Sequence, residues 1–136
     1  LKVAARAAHL DRWRVPRRSY PSGRAGYLRW RTELATKHAE ETAELLRACG
    51  CKDQLVERVG AIVRKENLAG DPETQTFEDA LCLAFMARQL AAFSERQPPA
   101  QLARILGRTW RKMSVAAREA ALTLDLPGHL RNLLPP

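Results

Sequence analysis

The sequence predicts an all-α protein, a single-domain bundle of about five to six helices spanning residues 1–136. Three observations point there. Hydrophobic residues make up 46% of the chain, and Ala, Leu, Arg and Glu, all good helix formers, outnumber the strand formers. Apolar positions recur every three, four or seven residues, and the alternating pattern of a half-buried strand is absent. Proline and glycine fall where helices of ordinary length should stop.

Residues 1–14 read as a first helix, ended before Pro16 because proline disfavours helical geometry in the residue ahead of it. Residues 15–23 form a basic loop with two prolines and a glycine. A long helix is expected from Arg24 to Cys49, stopping at Gly50, with Tyr27, Trp30, Leu34, His38 and Leu45 as its inward stripe. A third helix over 52–68 turns Leu55, Val56, Val59, Ile62 and Val63 inward, and Gly70-Asp71-Pro72 breaks it. Asp71 is placed to cap a fourth helix over 72–95, with Pro72 in its first turn. Its segment from Ala80 to Met86 is apolar on nearly all sides and should be the central buried helix. Pro98-Pro99 opens a fifth helix through Met113, and Ser114 caps a short sixth. The tail after Pro127, which carries His129, is weakly specified.

Charge is distributed unevenly. Lys2, Arg6, Arg12, Arg14, Arg17, Arg18, Arg24, Arg29 and Arg31 oppose only Asp11 in the first 31 residues, a net of 9 − 1 = +8. The remaining 14 cations and 14 carboxylates cancel. So concentrated a charge attracts phosphate-bearing partners. Arg12, Arg17 and Arg31, with Lys65, are the expected phosphate contacts, because the planar guanidinium matches a phosphate's oxygens two at a time. Tyr20, Tyr27 and Trp30 offer surfaces on which a base could stack, although aromatics among cations also serve simply as core. Trp13 looks built to pack.

His9, His38 and Asp79 lie on three successive helices and form a candidate metal set, since two neutral imidazoles and an anion suit a divalent ion whose identity the residues leave open. Gln75 and Glu78 flank Asp79 as supporting groups. The competing reading makes the histidines hydrogen-bonded core residues and Asp79 a partner for an arginine. Cys49, Cys51 and Cys82 have no paired zinc spacing, and they read as buried thiols of a reducing, intracellular compartment, either cytoplasm or organelle. No apolar run approaches the ~20 residues needed to cross a bilayer. No glycine-rich phosphate loop or nucleophile elbow is present.

The strings Arg6-Ala-Ala-His9-Leu-Asp-Arg12-Trp13, Arg17-Arg-Ser-Tyr20, Gly26-Tyr27-Leu-Arg-Trp30-Arg31, His38-Ala39, Val63-Arg-Lys65, Gln75-Thr-Phe-Glu78-Asp79-Ala-Leu-Cys82 and Thr109-Trp110-Arg-Lys112-Met113-Ser114 resemble the domain-of-unknown-function family 4202. The resemblance runs through about Leu126 and implies a helical fold with no established activity. Family members have a further N-terminal segment, so an upstream portion is expected before Leu1. Some members carry a glutamyl-tRNA synthetase label. Lys112-Met113-Ser114 is similar to part of a class I synthetase loop, but the chain has no His-x-Gly-His element and is too short for the nucleotide-binding domain. That activity is not expected.

The order His9, His38, Asp79 also resembles the HD superfamily of metal-dependent phosphohydrolases. That likeness implies an HD-like bundle in which His9 is the first metal ligand, His38 the histidine of the His-Asp dyad and Asp79 the last ligand. Ala39 stands where the dyad aspartate belongs, so one anionic ligand is missing. Two functions are therefore expected from different classes. One is a metal-dependent phosphohydrolase or phosphate-ester-binding protein. The other is a non-catalytic basic subunit that binds RNA or protein in a large assembly such as an organellar ribosome.

Overall fold

The computed structural model describes residues 1–135, and Pro136, the end of the expected domain, lies outside them. Every regular element among the described residues is helical. The chain divides into two compact units, Leu1–Phe77 and Glu78–Pro136.

In the first unit, α1 (Lys2–Ala7) buries Ala4 and Ala7. It is shorter than the helix expected over 1–14. Leu10 N bonds Ala7 O and Arg12 N bonds His9 O, both three residues back, so the chain tightens out of the α-helix. Asp11 then turns left-handed at φ 47°, a conformation aspartate accepts more readily than most residues. Short 3-10 turns follow at Arg12–Arg14 and Arg17–Ser19.

The long helix α2 (Gly23–Ala48) matches expectation in extent. Its buried row steps by four, through Gly26, Trp30, Leu34, His38 and Thr42, with Ala39 alongside; this is the ridge along which helices interlock. Tyr27 and Leu45, expected on the inward stripe, flank that ridge and are 43% and 56% exposed. The chain turns at Gly50 (φ 74°) into α3 (Asp53–Arg64), which packs along α2 and buries Val56, Val59, Ile62 and Val63. Leu55, expected inward, faces water. Asp71 caps α4 (Pro72–Arg88) as expected, its Oδ1 accepting Glu73 N–H at 3.1 Å and its Oδ2 accepting the Thr74 hydroxyl at 2.8 Å. Arg58 ties the same carboxylate back to α3 at 2.5 and 2.8 Å.

The loop before α2 is stitched down by polar bonds. Trp30 Nε1 donates to Val15 O at 2.9 Å, and Tyr20 hydroxyl donates to Glu33 Oε2 at 2.5 Å. Arg17 donates to the carbonyls of Tyr20, Pro21 and Gly23 at 3.0, 2.8 and 3.3 Å. Gly26 is required by this closure: a Cβ there would lie 2.0 Å from Pro21 O.

The second unit holds the rest of α4, then α5 (Leu90–Ser94), α6 (Pro99–Lys112), α7 (Val115–Leu122) and α8 (Gly128–Arg131). Its core is Cys82, Met86, Leu90, Leu102, Leu106, Trp110, Met113, Ala117, Ala121, Leu126 and Leu130. The fourth helix expected over 72–95 is two helices, interrupted at Gln89. Its apolar segment is buried on one side only, through Cys82 and Met86, while Ala80 and Ala84 are exposed. Ser114 caps α7 as expected, accepting Ala117 N–H at 3.1 Å. The tail is better specified than its sequence indicates, because Leu130 is fully buried.

Candidate functional site

The first unit gathers His9, Arg12, Tyr27, Trp30, Arg31, His38 and Lys65. Arg12 leaves the left-handed turn at Asp11 with its guanidinium carbon 4.9 Å from the centroid of the Trp30 ring. The indole is anchored through its own N–H, so the turn and α2 together hold this cation in place. His9 Nδ1 lies 3.1 Å from Arg12 Nη1. Arginine only donates, so Nδ1 accepts and the neutral imidazole carries its hydrogen on Nε2.

Arg31, two turns before His38 on α2, donates to the Tyr27 hydroxyl at 3.3 Å and lies 5.9 Å from that ring's centroid. The Tyr27 and Trp30 rings are 5.9 Å apart. Lys65 ends α3 in the left-handed region (φ 60°), its ammonium 5.9 Å from the Phe77 ring centroid.

These groups feel one another electrostatically. Burial, then the nearby Arg31, lowers the pKa of Arg12 from its ordinary value. Burial, then Arg12, Lys65 and Arg31, lowers that of His9. Burial and His9 lower that of His38, with Arg12 and Lys37 adding to the effect and Glu41 opposing it. His38 is 3% exposed, and its Nε2 has no hydrogen-bond partner among the described residues. No carboxylate among the described residues lies within ion-pair distance of Arg12 or Arg31. Arg12 and Arg31 therefore carry positive charge that no ion pair compensates.

Other candidates are engaged elsewhere. Arg17 and Tyr20 hold the loop, and Trp30 is a buried anchor with a guanidinium already over its ring. Trp13, expected to pack, is 74% exposed. Asp79 Oδ1 accepts Ser114 N–H at 2.9 Å in the second unit. Glu78, buried, pairs with Lys112 and accepts the Cys82 thiol at 3.7 Å. Gln75 is half-buried in α4. Cys49 is exposed rather than buried, and no disulfide forms among the described residues. A groove of about 320 Å³ lined by residues such as Ala39, Glu44, Arg47 and Val56 shares none of the cluster's residues.

A divalent metal fits these residues poorly. Among the described residues no three His, Cys, Asp or Glu side chains gather as metal ligands would. His9 sits in a field set by Arg12, Lys65 and Arg31, which opposes a cation there, and Arg12 and Lys37 act the same way on His38 against Glu41. Ala39, which follows His38, is 1% exposed and offers no ligand atom.

Sequence reasoning placed Arg12, Arg31, His9, His38 and Lys65 as candidates but did not find the left-handed turns that present Arg12 and Lys65. Trp13, expected to pack, has no distinguishing signal in its neighbours, since Arg29-Trp30-Arg31 has the same pattern and Trp30 is buried.

Fold and site together define a class: an all-helical protein with a histidine-bearing cationic cluster. The chain belongs to the family described as Domain of unknown function (DUF4202), whose sequence model matches residues 1–134. No curated protein and no solved structure matches it. No helix among the described residues is long and apolar enough to cross a membrane.

Proposed function

We propose that the first unit binds a phosphate-bearing ligand through Arg12 and Arg31, with His9 and Lys65 at the margin of the site. One observation carries this reading: beyond the effect of burial, the Arg31 guanidinium lies close enough to Arg12 to depress its pKa, and no carboxylate among the described residues is within ion-pair distance of either. Folding such a pair costs free energy that a bound dianion returns, because each charge-assisted hydrogen bond contributes about 1.5–3 kcal/mol. Trp30 supports the reading by fixing Arg12 before a ligand arrives, which reduces the ordering cost on binding.

Titration calorimetry with pyrophosphate tests it. Binding is expected, and Arg12→Gln or Arg31→Gln should each weaken it by about tenfold or more. Unchanged affinity in both variants, with the helical fold intact by circular dichroism, would remove the proposal.

A second reading, hydrolysis of a bound phosphate ester, draws on the buried and unpartnered Nε2 of His38 beside neutral His9, since groups of this kind can accept or deliver a proton. Phosphatase assays on aryl and nucleoside phosphates, with and without added divalent ions, separate the two. Turnover lost in His38→Ala at unchanged pyrophosphate affinity supports hydrolysis. Binding without turnover leaves a binding protein.

A further inference from the structure

We infer that the cationic face of the first unit is an interface for single-stranded nucleic acid, with Tyr27 and Trp13 as platforms for unstacked bases. This rests on the phosphate site just described and extends it in two directions.

The first direction is aromatic. Tyr27 lies inside the cluster, 5.9 Å from the Arg31 guanidinium carbon, and remains 43% exposed. Trp13 follows Arg12 directly and is 74% exposed. The indole ring is large and apolar, and leaving it in water forgoes a substantial burial energy. Tyr27 has the Arg31 guanidinium at its ring and Trp13 adjoins Arg12 and Arg14 in the chain, the combination that receives a base on a ring and its phosphate on a guanidinium.

The second direction is charge in excess of one phosphate group. Arg12 and Arg31 suffice for a single phosphate. Yet Lys2, Arg6, Arg18 and Arg24 are also exposed, and none of them is within ion-pair distance of a carboxylate among the described residues. A mononucleotide would leave most of these cations unused. A chain of phosphates can engage them in succession. A duplex keeps its bases stacked and offers nothing to Tyr27 or Trp13, so the face favours a single strand.

The test uses fluorescence anisotropy of the full chain with a labelled oligouridine decamer. Unlabelled competitors are the same decamer in a duplex, uridine monophosphate, and inorganic polyphosphate of similar length. The single strand should bind most tightly, with affinity falling steeply as salt rises. Trp13→Ala should weaken the decamer by about tenfold while leaving polyphosphate unchanged, and Trp13→Phe should restore most of the loss. Because Trp13 is largely exposed, its removal is not expected to unfold the protein.

Polyphosphate competing as well as the decamer, with Trp13→Ala silent, would overturn the inference and leave the phosphate site standing. Uridine monophosphate matching the decamer would overturn it in favour of a free nucleotide. Duplex binding equal to single-strand binding would also overturn it. If neither polyphosphate nor the decamer binds, the phosphate site itself fails.

Discussion

At the scale of single residues, His9 and His38 are the groups that report on the cluster. Their folded pKa values lie below the ordinary 6.5, chiefly through burial, then through Arg12, Lys65 and Arg31 for His9 and through His9 for His38. The sign of the consequence follows from linkage. As pH falls below 6.5 the unfolded chain takes up protons that the folded chain refuses, so these histidines remove stability between that point and their depressed folded values. A bound anion reverses the effect by favouring the imidazolium. Sulfate, which does not titrate in this range, should therefore bind more tightly as pH is lowered from about 8 to about 5.5, and His9→Gln should flatten the dependence. Calorimetry at several pH values reads this directly, and a pH-independent affinity would show that the imidazoles do not face the anion. Lys65 allows a second measurement. At φ 60° a Cβ is strained, so Lys65→Gly should be about 1 kcal/mol more stable than Lys65→Ala in urea denaturation. The two variants should lose anion affinity equally.

At the scale of elements, the site depends on how the loop before α2 closes. Arg17, Tyr20 and Trp30 each spend their polar atoms on that closure, and Gly26 permits it. Gly26→Ala would drive a methyl group into Pro21 O, a backbone atom that Arg17 also holds. It should destabilise the protein by about 2 kcal/mol and weaken pyrophosphate binding as well, because displacing the loop displaces Arg12. Chemical denaturation and titration of the one variant check both outcomes. Loss of stability with unchanged affinity would mean that Arg12 is positioned independently of the loop. In the second unit, Ser114 and Asp79 set the entry to α7, and this accounts for Lys112-Met113-Ser114 as a helix end and cap.

For the molecule as a whole, a net +8 drawn from its first 31 residues is the dominant electrostatic fact. Self-repulsion of that segment opposes folding, and an anion that binds only the folded state relieves it. Phosphate should therefore raise the melting temperature more than chloride at matched ionic strength. The difference should shrink in the Arg12→Gln, Arg31→Gln double variant. Equal effects of the two salts would indicate general screening rather than a site.

Much of this was legible in the chain alone. Helical class, the extents of α2 and α6, the caps at Asp71 and Ser114 and the clustering of cations all follow from local periodicity, punctuation and composition, which act over a few residues. The tertiary structure decided what local patterns do not encode. The chain leaves α1 after Ala7 and turns left-handed at Asp11, although its sequence reads as one helix to Arg14. Trp13 faces water while Trp30 is anchored, although both are tryptophans beside arginines. His9 meets cations, His38 meets both cations and Glu41, and Asp79 accepts the N–H of Ser114. Each of these depends on which distant backbone or side chain a residue encounters, and such encounters are settled by packing across the fold rather than by neighbours along the sequence.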